Sequence, residues 1–162
     1  MKREDQFNAA EGYVELGMYQ EALEELSAIP VEVDDKQTKF EIADRRLKIL
    51  QQMEAWEEGA KVARAAVVEL PNYSTPYLLG AYAIRRAEGV EAAFEFLVSG
   101  EHCLYMTPDF WYKKGCYYCL LGQFKEAKEC VYKAMGSGDE KYDTLVEEDD
   151  DLAPLRGTWD LT

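Results

Sequence analysis

Phe110-Trp111-Tyr112-Lys113-Lys114-Gly115-Cys116-Tyr117-Tyr118-Cys119-Leu120-Leu121-Gly122-Gln123-Phe124-Lys125-Glu126-Ala127 decides how the rest of this chain is read. Its apolar and small residues recur at helical spacing up to Leu121, and Gly122 then marks a stop, because glycine takes the left-handed backbone of a helix end at little cost. A second periodic run follows through Phe124, Ala127, Val131 and Ala134. Two amphipathic helices joined by a tight turn form a helical hairpin. Gly115 and Ala127 are small where the helices must cross closely, and Trp111, Tyr118 and Phe124 fill the wedge beside them.

The same grammar recurs upstream. Phe7, Ala10 and Val14 lead to Leu16-Gly17, then Tyr19, Ala22, Leu26 and Ile29, with Pro30 as a stop. Trp56, Gly59, Ala63, Ala66 and Pro71 mark a second helix whose partner spans about 38–53, and Tyr77, Gly80, Ala83, Ala92 and Phe96 mark another hairpin. The aligned small residues Ala22, Gly59, Ala92 and Ala127 are spaced by 37, 33 and 35 residues.

Trp111-x-x-Lys114-Gly115-x-x-Tyr118 followed by Phe124-x-x-Ala127 and Ala134 resembles the tetratricopeptide repeat, whose pattern is W-x2-L-G-x2-Y with a period of about 34 residues. Lys114 departs from the usual leucine. The resemblance covers about 1–138 and implies an all-α fold, an α-solenoid of about four helix-turn-helix hairpins in a right-handed superhelix. The repeats are expected at about 4–35, 36–72, 73–106 and 107–138. Residues 139–162 break the pattern and read as an acidic capping helix, with Tyr142, Leu145 and Val146 on one face, and a tail in which Leu152 to Leu155 and Trp159 fold back onto the last hairpin.

Charge and chemistry narrow the function. The 162 residues carry a net charge of −14, which repels phosphate backbones and argues against nucleic acid. Residues 1–35 carry 10 acids and 2 bases and residues 139–162 carry 9 acids and 2 bases, so the acidity sits at both ends. The run Glu147 to Asp151 reads as a solvated tail, or as a segment that guards a basic surface. No apolar stretch approaches the ~20 residues of a membrane span. Met1 to Asp5 shows no apolar leader, so a cytoplasmic chain with reduced thiols is expected.

No nucleotide-binding or metalloprotease motif is present, and the single histidine, His102, reads as a dipole partner at the end of the third hairpin. Cys116 and Cys119 form a C-x-x-C inside a helix and not at its N-terminus, which disfavours redox chemistry. They read as buried or groove-lining thiols, with a metal role the weaker alternative. No enzyme activity, metal or cofactor is expected.

The resemblance implies a concave groove lined by the first helix of each repeat, suited to a peptide or protein segment. Carried residue by residue onto this chain, the groove candidates are Phe7, Glu11, Asp44, Lys48, Gln51, Tyr77, Ile84, Arg85, Tyr112, Cys116 and Cys119, with Val14 and Ala81 alongside. Phe7 and Glu11 stand where the family's carboxylate clamp needs Lys and Asn, which argues against that clamp. A non-catalytic adaptor or scaffold is therefore expected. A small secretion-type chaperone is an alternative, as is a self-assembling module whose groove is filled by its own tail or by a second copy. A homodimer is compatible with either.

Overall fold

The turns inside the hairpins dictate where each helix begins. In a computed structural model, which describes residues 2–159, Gly17 stands at φ 73° between α1 (Arg3–Glu15) and α2 (Tyr19–Ala28). The next hairpin pairs α3 (Lys36–Gln52) with α4 (Trp56–Glu69), and there Glu54 takes the left-handed position at φ 54°. Then come α5 (Ser74–Glu88), α6 (Val90–Ser99), the short α7 (Glu101–Leu104), α8 (Pro108–Leu120), α9 (Phe124–Met135) and α10 (Lys141–Glu148). A 3-10 helix, Asp150–Leu155, ends the regular structure, and the described residues contain no strand. The fold is all-α.

One residue deep in three of the hairpins is small because the neighbouring helix crosses there. Ala22, Gly59 and Ala127 are all buried three residues into their helices. In the third hairpin the sequence alignment singles out Ala92, but Ala93 is the fully buried residue and Ala92 is half-buried. The reason is the turn. Gly89 (φ 107°) caps α6 directly, whereas one residue separates Gly17 from α2 and Gly122 from α9. With Ala93 in place the spacings become 37, 34 and 34.

The chain divides into two compact units, 1–87 and 88–162. In the first, Phe7, Ala10, Ala22, Leu26, Ile29 and Ile49 form a core that joins the α1–α2 hairpin to α3. Asp35 caps α3 by accepting the Thr38 amide at 2.9 Å, and Arg3 of α1 pairs with the same carboxylate at 3.0 Å. Those hydrogen bonds from Thr38, with Arg3 behind them, hold the Asp35 carboxyl below its usual range. Trp56 meets Tyr82 edge-on at 5.4 Å, and the Arg86 guanidinium lies 4.9 Å from its ring.

The second unit is built on α8 and α9. A Cβ added to Gly115 would come within 2.5 Å of Val131 Cγ2 and 3.0 Å of the Ala127 carbonyl, so only glycine allows this crossing. Lys114, the residue out of pattern, fills the leucine slot with its aliphatic stem. Its ammonium reaches Glu101 at 3.1 Å and lies 5.1 Å from the Trp111 ring. Tyr142 and Val146 of α10 are buried in the same core, as are Leu152, Leu155 and Trp159 of the tail. α10 and the 3-10 segment after it thus share the core of α8 and α9. His102 lies on α7, separate from α6, which ends at Ser99.

Candidate interaction groove

The first two hairpins present an open surface between α1 and α3. Ala10 and Val14 of α1, Leu26 of α2 and Ile49 of α3 give a cavity of 470 Å³ an apolar floor. Glu11 and Glu15 rim it on one side, and Asp44, Arg45, Lys48 and Gln52 on the other. The helical period produces this split, because residues on one stripe of α3 pack inward while Asp44, Lys48 and Gln52 recur on the next stripe.

Two ion pairs lie along the rim. Arg45 donates to Oε1 of Glu11 from Nη2 at 2.9 Å and from Nε at 3.2 Å, and Lys48 bridges Asp44 at 2.8 Å. Arg45 also lies 4.4 Å from the ring centre of Phe7. It links α3 to both Glu11 and Phe7. Sequence reasoning passed over it for its neighbours Asp44 and Lys48, although an arginine one position along a groove-lining stripe was a readable signal.

The sequence candidates separate into two groups. Glu11, Asp44 and Lys48 line the cavity, as does Val14. Gln51 is exposed but outside it, and Gln52 takes the lining position. Phe7, Tyr77, Ala81 and Ile84 are buried, and Arg85 is half-buried and held by neighbours. These candidates do not line this cavity. The apolar members are consumed by the core because burying an aromatic or aliphatic side chain outweighs leaving it open for a partner.

Tyr112, Cys116 and Cys119 stand differently. They do lie on one face of α8, but the chain's own tail covers that face. Leu152 is fully buried there and Trp159 is 8% exposed, with its Nε1 donating to the Val146 carbonyl at 3.1 Å. Lys128 donates to the Thr158 carbonyl at 2.7 Å and lies 5.7 Å from the Trp159 ring. The Tyr112 hydroxyl donates to Asp149 Oδ2 at 2.8 Å. The acidic run therefore meets a hydroxyl and a thiol-bearing helix face. Burial raises the Cys116 thiol far above its usual range, and the carboxylates of Asp149 and Asp151 push it the same way. Such thiols are poor nucleophiles.

A larger cavity of 650 Å³, unanticipated from sequence, opens along α3 and α4. Ile42, Ala43, Val62 and Ala66 floor it, and Lys39, Arg46, Lys61, Glu58 and Glu69 rim it. Lys39 pairs with Glu69 at 2.7 Å, and Arg46 Nε is buried without a hydrogen-bond partner.

The fold has solved counterparts. It resembles MamA. A MamA fragment from Desulfovibrio magneticus RS-1 superposes with a TM-score of 0.67 at 18% identity, covering 83% of this chain and 75% of that one. A double mutant of MamA RS-1 gives 0.69 at 19% identity, covering 85% and 78%, and MamA from MSR-1 gives 0.60 at 15% identity, covering 94% and 89%. At such identities the likeness to MamA concerns the fold, which is of the all-α, α-solenoid class. No protein-family model and no curated protein sequence matches the chain. No described helix is long and apolar enough to cross a membrane.

Proposed function

We propose that this protein is a non-catalytic interaction module that holds a peptide or protein segment in the groove between α1 and α3. One observation carries the reading: an open 470 Å³ cavity with an apolar floor and two ion pairs along its rim, on elements held rigidly by a shared core. Apolar anchors of a partner enter the floor, while its polar groups exchange with the Glu11–Arg45 and Lys48–Asp44 pairs. The likeness to MamA supports a repeat scaffold of this kind. No signature of catalysis in the sequence competes with it.

The alternative in which the groove is filled from within is favoured for one hairpin only. On α8 the equivalent face is taken by residues 149–159, so the tail acts as an internal occupant there. The partner surface is accordingly assigned to the first unit.

The test is native mass spectrometry of the protein purified gently from its source, beside an Arg45→Glu/Lys48→Glu variant. A stoichiometric partner on the wild type that is absent from a folded variant is the expected result. A partner retained by the variant overturns the groove assignment. A bare chain on both, with no cross-link formed from a photoreactive residue placed at Gln52, overturns the adaptor reading.

A further inference from the structure

The C-x-x-C of α8 and the acidic run ahead of the 3-10 helix lie thirty residues apart in sequence, and the fold brings them to one spot. Cys116 is 4% exposed, and its Sγ points at Asp149 Oδ2 from 3.9 Å. The Cys116 sulfur and one carboxylate oxygen each from Asp149 and Asp151 all lie within 4.8 Å of one another. Cys119 is one helical turn further along the same buried face, and the charges of Asp151 and Asp149 raise its thiol as well, after burial. Two independent features thus converge: a thiol pair at i and i+3 on one helix, and two carboxylates delivered by the tail.

We propose that Cys116, Asp149 and Asp151 bind a divalent cation of the zinc class, and that the ion fixes the tail onto α8.

The donor chemistry selects the ion. A sulfur donor disfavours magnesium and calcium, which take oxygen ligands, and a mixed sulfur–oxygen set suits tetrahedral zinc, cobalt or cadmium. Donor atoms this close to one another can all reach a common centre at zinc-ligand distances of roughly 2.0–2.3 Å with small side-chain turns. The hydroxyl of Tyr112, already 2.8 Å from Asp149 Oδ2, supplies the outer hydrogen bond that orients a ligating carboxylate. The Asp149 Oδ1 atom is held by the Asp151 amide at 2.9 Å, so the two acids are set in one rigid turn. Lys113 is the cation whose field already reaches Cys116, and a divalent ion competes with it.

In the bare site the electrostatics oppose the thiolate. Two carboxylates beside a buried thiol keep that thiol protonated, and a divalent ion reverses the balance by stabilising the thiolate. Binding is a substitution without redox change. The Cys116 S–H bond breaks, a sulfur–metal bond forms and the proton passes to solvent. The site stands on the second unit alone, so it does not depend on the groove assigned to the first.

Cobalt(II) titration of the reduced full-length protein tests it. The expected result is a one-to-one complex with a sulfur-to-cobalt charge-transfer band, displaced by zinc, with measurable proton release. Cys116→Ser, which keeps the size of the side chain, abolishes the band. Asp151→Asn weakens binding at least tenfold, in line with the general cost of disturbing a metal site. Cys103→Ser leaves it unchanged. No charge-transfer band at stoichiometric cobalt overturns the proposal. So does a band that survives in Cys116→Ser, or one equally strong in the Asp149→Asn/Asp151→Asn double variant. Circular dichroism of each variant separates loss of the site from loss of the fold.

Discussion

Glu54 occupies, at φ 54°, the turn position that Gly122 fills at φ 76° in the α8–α9 hairpin. The two residues do the same backbone work between paired helices, and only one of them is built for it. A residue with a Cβ in this region carries roughly 1 kcal/mol of strain. Glu54→Gly relieves that strain against a higher unfolded-state entropy, and a net gain of about 0.5 kcal/mol is expected. Thermal melts of the two proteins measure it, and an unchanged or lowered Tm counts against the strain.

Gly115→Ala is expected to destabilise by about 1–3 kcal/mol, the usual cost of forcing extra volume into a packed core. The new methyl group meets Val131 Cγ2 and the Ala127 carbonyl, and the second of these is backbone. Gly12, whose Cβ would have nothing within 4 Å, serves as the control, and Gly12→Ala should be neutral or stabilising. Urea titration distinguishes the pair.

The tail is part of the core of the second unit, so Trp159→Ala should cost about 3–5 kcal/mol there. The same substitution should open the α8 face. In the native protein a thiol reagent is expected to reach the half-buried Cys103 first, with Cys116, Cys119 and Cys130 reacting slowly. In the Trp159 variant Cys116 and Cys119 should become faster, and mass-mapped labelling reads which cysteine has reacted. Equal rates in both proteins would mean that the tail does not shield them.

Asp109 and Tyr142 give the second unit a pH signature. The Tyr142 hydroxyl donates to Asp109 Oδ1 at 2.6 Å, and Lys141 pairs with it at 3.2 Å. Burial alone would raise Asp109, but these donors hold its carboxyl below the usual value. A depressed acid contributes stability above its unfolded pKa of about 3.9 and loses it as pH falls through the folded value. Tyr142 is pushed up to about 12, mainly by burial and then by Asp109, so its contribution is complete below pH 10 and lost as pH rises towards 12. Tyr142→Phe should reduce both the alkaline and the acid limb, the buried Tyr112 and cysteines keeping the rest of the alkaline one. Stability measured against pH in both proteins checks the sign.

Arg45→Ala removes the bridge to Glu11 and the cation over Phe7 together. The pair is partly exposed, so a loss of only about 0.5–1 kcal/mol is expected. A larger loss would mean that Phe7 depends on the guanidinium for its packing.

The hairpins were legible because helical periodicity and turn glycines are local signals. Gly17, Pro30, Gly122 and the small residues Ala22, Gly59 and Ala127 stand where they were expected. Glu54 was hidden because a charged residue carries no turn signature, and Ala93 was displaced by a single residue missing from the α6 turn. The groove was harder. Glu11, Asp44 and Lys48 are polar and stay on the surface, so their stripe could be read directly. Phe7, Tyr77 and Ile84 share helical positions with groove residues but are apolar enough to be taken into the core, and sequence spacing alone does not say which outcome wins. Leu152, Leu155 and Trp159 were readable as a fold-back from their apolar character, yet their seat on Tyr112, Cys116 and Cys119 depends on contacts thirty or more residues apart in sequence.

Because the core around α8 includes Trp159, that hairpin cannot complete its packing until residue 159 has been added. Translation must run 24 residues past Met135 before the indole exists, which at 5–20 residues per second is roughly one to five seconds. During that interval Cys116 and Cys119 lack the cover of Leu152. The core of the first unit is drawn from residues within 1–87, so it is free to fold as it emerges, and a released chain truncated at residue 140 should carry a protease-resistant N-terminal half and a soft fourth hairpin.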